Sequence, residues 1–466
     1  MGEPPSPSSS SPPSTKSALH ASALETARSA SARRYASVIP GGVRTSIGRA
    51  NEPARDRALA SRADALRAAL HTVQGAASPS TAYEYASVLQ EQAERCAPED
   101  ARLRDELTIR ACDAYGKAAS AAAHARTGHT SSDEDDASRA AAHAVLYNWA
   151  IALGDRAGRA RASGDGASAR HLYDEAIDKY DKATTYVKHG YGGIVTSGGV
   201  TTQQATQALN NLGLALQSRA QCVDFESTTT VEDVNRARMA RVEFLTRAVD
   251  KFRRALRLEP CFDRGVYNLG TAMYALNAEF AALRAGVVGT SAEDDERAYG
   301  DMSREYANAS AVYVALALAN SPSNSVYTQS FALVKHVLQK PYVLDDATFR
   351  AASGVDGVDD ATALRLIVNA HTLRVMTRDE DPKEPTTDAL AINLADVASC
   401  EPISDASLAP GGSSFALASR SASAPIMIFT TARAHTRDVW VDTIVLAASL
   451  ARRHRQRALD AILADD

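Results

Sequence analysis

Cysteine, aromatic residues, long apolar runs and an excess of either charge are all scarce in this chain of 466 residues. The five cysteines (Cys96, Cys112, Cys222, Cys261, Cys400) stand far apart with no CxxC, which argues against a zinc site or a disulfide framework and fits a reducing compartment. Phe, Tyr and Trp total 6% while alanine is over-used, a composition that suits closely packed helices better than sheets. No apolar run approaches the roughly 20 residues a membrane-spanning helix needs. A formal net charge of −5 gives no basic field for nucleic acid. GxxxxGK[ST], HExxH and GxSxG are missing and the histidines are scattered, so no enzyme constellation, cofactor site or metal site is expected. At 45% hydrophobic and 23% charged, the chain can bury more than one core.

Residues 1–55 hold few large apolar groups and open with a Ser/Pro tract through Pro13, so they read as a disordered tail. From Lys16 to Arg49 six basic residues face one acidic, Glu25, in a Ser- and Ala-rich background, which also suits an organelle transit peptide. Met1-Gly2 with Ser6 matches the myristoylation pattern only formally, because Glu3, Pro4 and Pro5 follow.

From about Arg57 to Gln339 the pattern is helical, and it repeats. Ala, aromatic and Ala recur at relative positions 0, 4 and 7 in Ala111/Tyr115/Ala118, Ala176/Tyr180/Ala183 and Ala248/Phe252/Ala255. Upstream lie pairs followed three residues on by Leu or Met: Tyr85-Ala86 with Leu89, Trp149-Ala150 with Leu153, Leu212-Gly213 with Leu216, Leu269-Gly270 with Met273. Recurrence of this kind marks a solenoid of helix pairs.

The units resemble the tetratricopeptide repeat (TPR), whose first helix carries a large, a small and an apolar residue at positions 7, 8 and 11, and whose second carries Ala, aromatic, Ala and Pro at 20, 24, 27 and 32. Residues 248–260 meet the second half in full, with Ala248, Phe252, Ala255 and Pro260; a fourth second helix reads Ser310, Val314, Ala317 and Pro322. Small residues there let paired backbones approach. The separations Ala86 to Ala111, Ala150 to Ala176 and Gly213 to Ala248 are 25, 26 and 35 residues, against about 12 in the family, so long helices or inserted loops are expected. Asp133–Asp136, Ser163–Gly166, Thr228–Thr230 and Glu293–Glu296 are candidate loops, and a helix around Val326–Leu338 caps the array. Gly190-Tyr191-Gly192-Gly193 reads as a connector, with a phosphate cradle as the sharper alternative.

Position 5 of the first helices is Tyr83, Tyr147, Asn210 and Tyr267, and position 6 is Asn148, Asn211 and Asn268 in three of them. Such a ladder can hydrogen-bond an extended peptide in a groove, or each Asn can bond its neighbouring helix. Arg264 is the one base on the first turn of these helices, so the cationic clamp of chaperone-binding relatives looks absent.

After Pro341 shorter alternating runs predict strands at Leu390–Val397, Phe415–Leu417 and Ile426–Thr430, with Ala347–Arg350 and Leu364–Thr377 as further candidates. An amphipathic helix from about Arg437 follows, bearing Trp440, Ile444 and Ala447/Ala448 on one face and Arg452, Arg453, Arg455 and Arg457 at its end. Strands closed by a helix whose Trp packs on the sheet resemble the latter half of a pleckstrin-homology domain, giving residues 341–466 as a pleckstrin-homology-like α+β domain behind helical repeats at 56–340. The arginines are candidates for an anionic membrane face or a solvated helix end.

Segments Tyr147–Ala152, Ala208–Leu216 and Val266–Thr271, with the terminal Trp440-Val441-Asp442-Thr443-Ile444 helix, resemble the plant and algal TPR proteins of the hypersensitive-to-latrunculin-B type. That resemblance implies a peripheral protein of the trans-Golgi network and early endosome, associated with an ARF guanine-nucleotide exchange factor and linking vesicle traffic to actin. It transfers no binding residues. The alternative is a plastid-targeted TPR assembly factor, and an enzyme is the third reading.

Overall fold

The computed structural model describes residues 52–72, 79–97, 99–125, 132–186, 200–224, 230–287, 293–338, 342–353, 364–377, 390–403, 413–420, 426–431, 433–454 and 456–464. The tail apart from residues 52–55, the glycine-rich segment from Gly190 and Arg455 lie outside them. The chain is mainly helical, with helices in packed antiparallel pairs and a C-terminal sheet region.

After α1 (Glu52–Thr72), the pairs are α2 (Pro79–Arg95) with α3 (Ala101–Ala125), α4 (Ser132–Ala162) with α5 (Gly166–Thr184), α6 (Thr202–Gln221) with α7 (Val231–Leu258), and α8 (Asp263–Val287) with α9 (Glu293–Asn320). A short α10 (Ser325–Val334) and a 3-10 turn through Val337 end the array. Helix α1 already starts at Glu52, ahead of the expected break.

Small residues set the pairing, as the repeat pattern requires. Ala111, Ala118, Ala150, Ala176, Ala183, Ala248, Ala255 and Ala317 are fully buried. In the fourth pair Ser310 is buried and donates to the Gly270 carbonyl at 2.8 Å. The extra length between repeat positions lies largely in the helices: α4 has 31 residues and α7 and α9 have 28 each. Two expected loops are helical instead. Asp133–Asp136 and Glu293–Glu296 lie in the first turns of α4 and α9, and in α9 the carboxylates complement the unsatisfied N–H groups and the helix dipole. The turn at Ser163–Asp165 is where expected, and Gly164 ends α4 at φ +84°, a conformation costly for a residue with a Cβ. Side chains then start the next helices: Asp165 caps α5, Thr201 and Gln204 form a reciprocal capping box on α6, and Thr230 caps α7.

The sheet runs β4 (Leu390–Asn393), β3 (Thr372–Thr377), β2 (Leu364–Val368), β1 (Tyr342–Ser353), β7 (Met427–Thr430), β6 (Ser414–Ser419), β5 (Val397–Pro402), antiparallel throughout. The first part of β1 pairs with β2 and its last part with β7. Leu390–Val397, expected as one strand, is broken. Asn393 accepts from the Ala395 N–H and caps a 3-10 turn at Leu394–Asp396, so β4 and β5 lie on opposite sheet edges. Leu394, fully buried, anchors that turn. Helix α11 (Ala434–Arg452) crosses the sheet with Trp440 and Ile444 buried, and α12 (Gln456–Ala464) follows.

Two large apolar cores divide the array. One spans α1 to α5; the other runs from α4 and α5 through α6–α10 into the sheet, α11 and Leu459 of α12. Helix α4 serves both, sending Leu153 and Ala157 to the first and Ala150 and Ile151 to the second.

Candidate functional site

Side chains of the expected ladder are brought together in pairs from different helices. Asn148 Nδ2 donates to the Tyr83 hydroxyl at 2.8 Å, Asn211 Nδ2 to the Tyr147 hydroxyl at 2.9 Å, and Asn268 Nδ2 to Asn210 Oδ1 at 2.8 Å. The Tyr267 hydroxyl continues the series to Ser330 Oγ of α10 at 2.9 Å. These partners are 65, 64, 58 and 63 residues apart. Every position-6 amide therefore points at position 5 of the preceding first helix.

Half of these residues lie out of solvent. Asn148, Asn210, Tyr267 and Asn268 are buried, whereas Tyr83, Tyr147, Asn211 and Arg264 keep part of their surface. A closed amide–phenol bond between adjacent helices satisfies the polar groups that a partner peptide would otherwise meet. Burial raises the pKa of the Tyr83 and Tyr180 phenols, against hydrogen bonds from Ser87 and Asn148 to the first and from Asn211 to the second. His143, absent from the sequence reading, stacks parallel to Tyr147 at 6.0 Å and sets Nδ1 3.0 Å from the Ala183 carbonyl oxygen; burial holds its pKa below the ordinary value. Around Arg264, Tyr327 and Ser321 both donate to Asp263, and the Tyr267 and Tyr327 rings stack at 4.7 Å.

The arginines expected at one helix end do not share it. Helix α11 stops at Arg452, His454 turns the chain with φ +55°, and Arg457 belongs to α12. Arg452 donates to the Val397 carbonyl of β5 at 3.0 Å, and Arg453 to Asn320 Oδ1 of α9 at 2.9 Å. The break separates Arg457 from the other two, and both of those tie α11 to its neighbours.

A polar cluster that sequence reading missed joins α11 to the array. Arg253 of α7 is buried and donates from Nε to Asp442 Oδ2 at 2.7 Å and from Nη1 to Asp438 Oδ2 at 3.2 Å. Tyr313 of α9, fully buried, donates to the same Asp442 oxygen at 2.6 Å. Arg437 grips the other oxygen of Asp438. Burial opposes the charge on Arg253, but the carboxylate of Asp442, with Asp438, outweighs it and holds the guanidinium protonated. The Tyr313 phenol is pushed far up, by burial and then by Asp442. Nothing in Lys251-Phe252-Arg253-Arg254 signals this, because a basic run on a helix ordinarily faces solvent. The usable hint was the spacing of Asp438 and Asp442, one turn apart on an apolar helix.

Beside this cluster, Pro260, Val266, Leu316, Leu446, Leu450 and Arg453 line a crevice of about 10 Å³, room for one water. Among the described residues no group of three or more His, Cys, Asp or Glu side chains is placed to hold a metal ion, and no helix is long and apolar enough to cross a membrane. No family model matches the chain, and no curated protein matches it. Among solved structures, a computationally designed self-assembling cyclic homo-oligomer aligns at 12% identity over 61% of this chain and 98% of its own, with a TM-score of 0.25. A likeness that weak carries no argument.

Proposed function

We propose that this chain is a non-enzymatic protein-interaction scaffold, a TPR-like solenoid of four long helix pairs capped by a pleckstrin-homology-like unit. The observation that carries the reading is the recurrent bond from position 6 of one first helix to position 5 of the one before, at intervals of 58 to 65 residues. The same contact made at each step is how a one-dimensional array keeps its register. The strand order, with a terminal helix burying Trp440 against the sheet, supports the pleckstrin-like half. Tyr83, Tyr147 and Asn211 are the ladder side chains that still offer surface to an extended partner.

For location we propose the cytoplasmic face of the trans-Golgi network and early endosome, with an ARF guanine-nucleotide exchange factor and the actin machinery as partners. The segments around Tyr147, Asn211 and Tyr267 support this through the family they resemble. The second reading, a plastid assembly factor, is favoured by the basic, Ser- and Ala-rich residues from Lys16 to Arg49. Imaging the full chain with a C-terminal fluorescent tag and weighing its mature N-terminus separates the two. Puncta that coincide with a trans-Golgi marker and an intact N-terminus are expected. Plastid import with loss of roughly 50 residues overturns the endomembrane reading, and a diffuse signal overturns both.

A further inference from the structure

The seam between α11 and the helical array contains a histidine whose chemistry is at odds with its position. His435, in the first turn of α11, lies over Tyr306 of α9 with ring centroids 4.2 Å apart, and Tyr306 stacks in turn on Phe280 of α8 at 5.4 Å. Three rings from three helices thus form one column across the seam. The residue as a whole is partly exposed, but Nε2 is buried without a hydrogen-bond partner among the described residues, as is Nη2 of Arg253.

We propose that this seam is an acid-released latch, with His435 as its trigger and Arg253, Tyr313, Asp438 and Asp442 as its clasp.

The electrostatics around the ring all act in one direction. Arg253 faces it from α7 and Arg433 from the segment leading into α11. From α9 come Tyr306 and Tyr313, with Asp301 and Glu305 both paired to Arg433. On α11 itself, Asp438 is held by Arg253 and Arg437, and Asp442 by Arg253 and Tyr313. Every nearby carboxylate is committed to another cation or a phenol, so an imidazolium formed here meets two guanidinium groups and no free acceptor. Burial, then Arg253 and Arg433, push the His435 pKa from the ordinary 6.5 down to about 3.

A docked histidine with the lower pKa binds a proton less readily than a released one. Docking is therefore undisturbed above pH 6.5 and is progressively weakened as pH falls below it. Each pH unit below 6.5 multiplies the released fraction by up to tenfold, reaching about 30-fold at pH 5. Release uncovers Arg253, Tyr313 and the Phe280–Tyr306 face of α8 and α9.

Amide hydrogen exchange of the full chain at pH 7 and pH 5, corrected for intrinsic rates, tests the latch. Protection of α11 should fall up to about 30-fold, while protection of α2–α5 stays level. In H435F, and in H435Q should the phenylalanine variant fold poorly, the pH-dependent loss in α11 should shrink to that of the remote helices. Equal losses in wild type and both variants, or no loss in wild type, overturn the proposal.

Discussion

Replacing Gly213 by Ala tests the packing rule on which the array depends, and the neighbouring Gly154 supplies its control. A glycine inside a helix costs about 1 kcal/mol relative to alanine, so on propensity alone both changes stabilise. A Cβ built on Gly213 meets Phe252 Cε1 at 2.5 Å, Cζ at 2.7 Å and Cδ1 at 2.8 Å, where carbon atoms prefer about 3.5–4.0 Å. The ring has to retreat by about 1 Å. Phe252 is fully buried in the second core and cannot swing toward solvent. Overpacking of this kind costs about 1–3 kcal/mol and occasionally more. The net expectation for Gly213→Ala is a loss of about 0–2 kcal/mol, against a gain at a glycine with open space.

A Cβ on Gly154 meets nothing within 4 Å, so Gly154→Ala should stabilise by roughly 0.5–1 kcal/mol. Urea midpoints followed by far-ultraviolet circular dichroism measure both. Phe252→Leu placed on top of Gly213→Ala should recover part of the loss, a favourable coupling of about 0.5–2 kcal/mol in a double-mutant cycle. If Gly213→Ala stabilises as much as Gly154→Ala, close approach of α6 and α7 is not what the glycine provides, and the small-residue argument fails for the whole repeat.

Further outcomes follow from the ladder, the seam and the thiols. Asn268→Ala strips the donor from the buried Asn210 Oδ1 and should cost about 1–3 kcal/mol; the Asn210→Ala/Asn268→Ala pair should cost less than the two singles combined, read by urea midpoints. Arg253→Met alone leaves Asp442 uncompensated in the seam and should cost about 3–5 kcal/mol, seen as early loss of α11 protection in hydrogen exchange. Iodoacetamide at about pH 8, near the ordinary thiol pKa, should spare Cys112, whose thiol burial pushes up to about 12, and Cys400, raised further still by burial. The partly exposed Cys96 and Cys261 should be labelled ahead of them in peptide mapping by mass spectrometry.

The paired helices were legible because their small and aromatic positions obey a steric rule that sequence records directly. Ala111, Ala176 and Ala248 have no exposed surface, and Tyr115, Tyr180 and Phe252, four residues on, are buried with them. Strands β6 and β7 were legible for a related reason: Phe415, Leu417, Met427 and Phe429 alternate inward on one face. What defeated the reading was any decision made by a distant partner. Whether Asn268 faces a peptide or the preceding helix depends on Asn210, 58 residues away. The break at Leu394–Asp396 falls where the alternation of Leu390, Ile392 and Leu394 gives way to a three-residue step to Val397, a slip that the alternation before it overshadows. Glu293–Glu296 looks like a loop to composition, yet carboxylates in a first turn favour the helix they begin.

The seam raises a question that its hydrogen bonds alone do not answer, namely why an ion pair sits where apolar contact would serve. Helix α11 is buried on two sides, with Trp440, Ile444 and Ala447 toward the sheet and Asp442 and Ser449 toward the array. Apolar helix faces tolerate sliding, because one Leu or Ala contact substitutes for another at little cost. Asp438 and Asp442, one turn apart, meet a single guanidinium with a phenol above it, and a shift of one turn leaves a buried charge unpaired. Buried pairs of this kind add little net stability relative to well-packed apolar replacements, so their contribution here is choice of register. The combined variant Arg253→Met, Asp442→Leu, Tyr313→Phe with Asp438→Asn should therefore unfold within about 1–2 kcal/mol of wild type. Its near-ultraviolet circular dichroism, dominated in this region by Trp440, should weaken as α11 samples more than one docking position. A variant equally stable and as sharply ordered would show that packing alone positions α11, and the register argument would be lost.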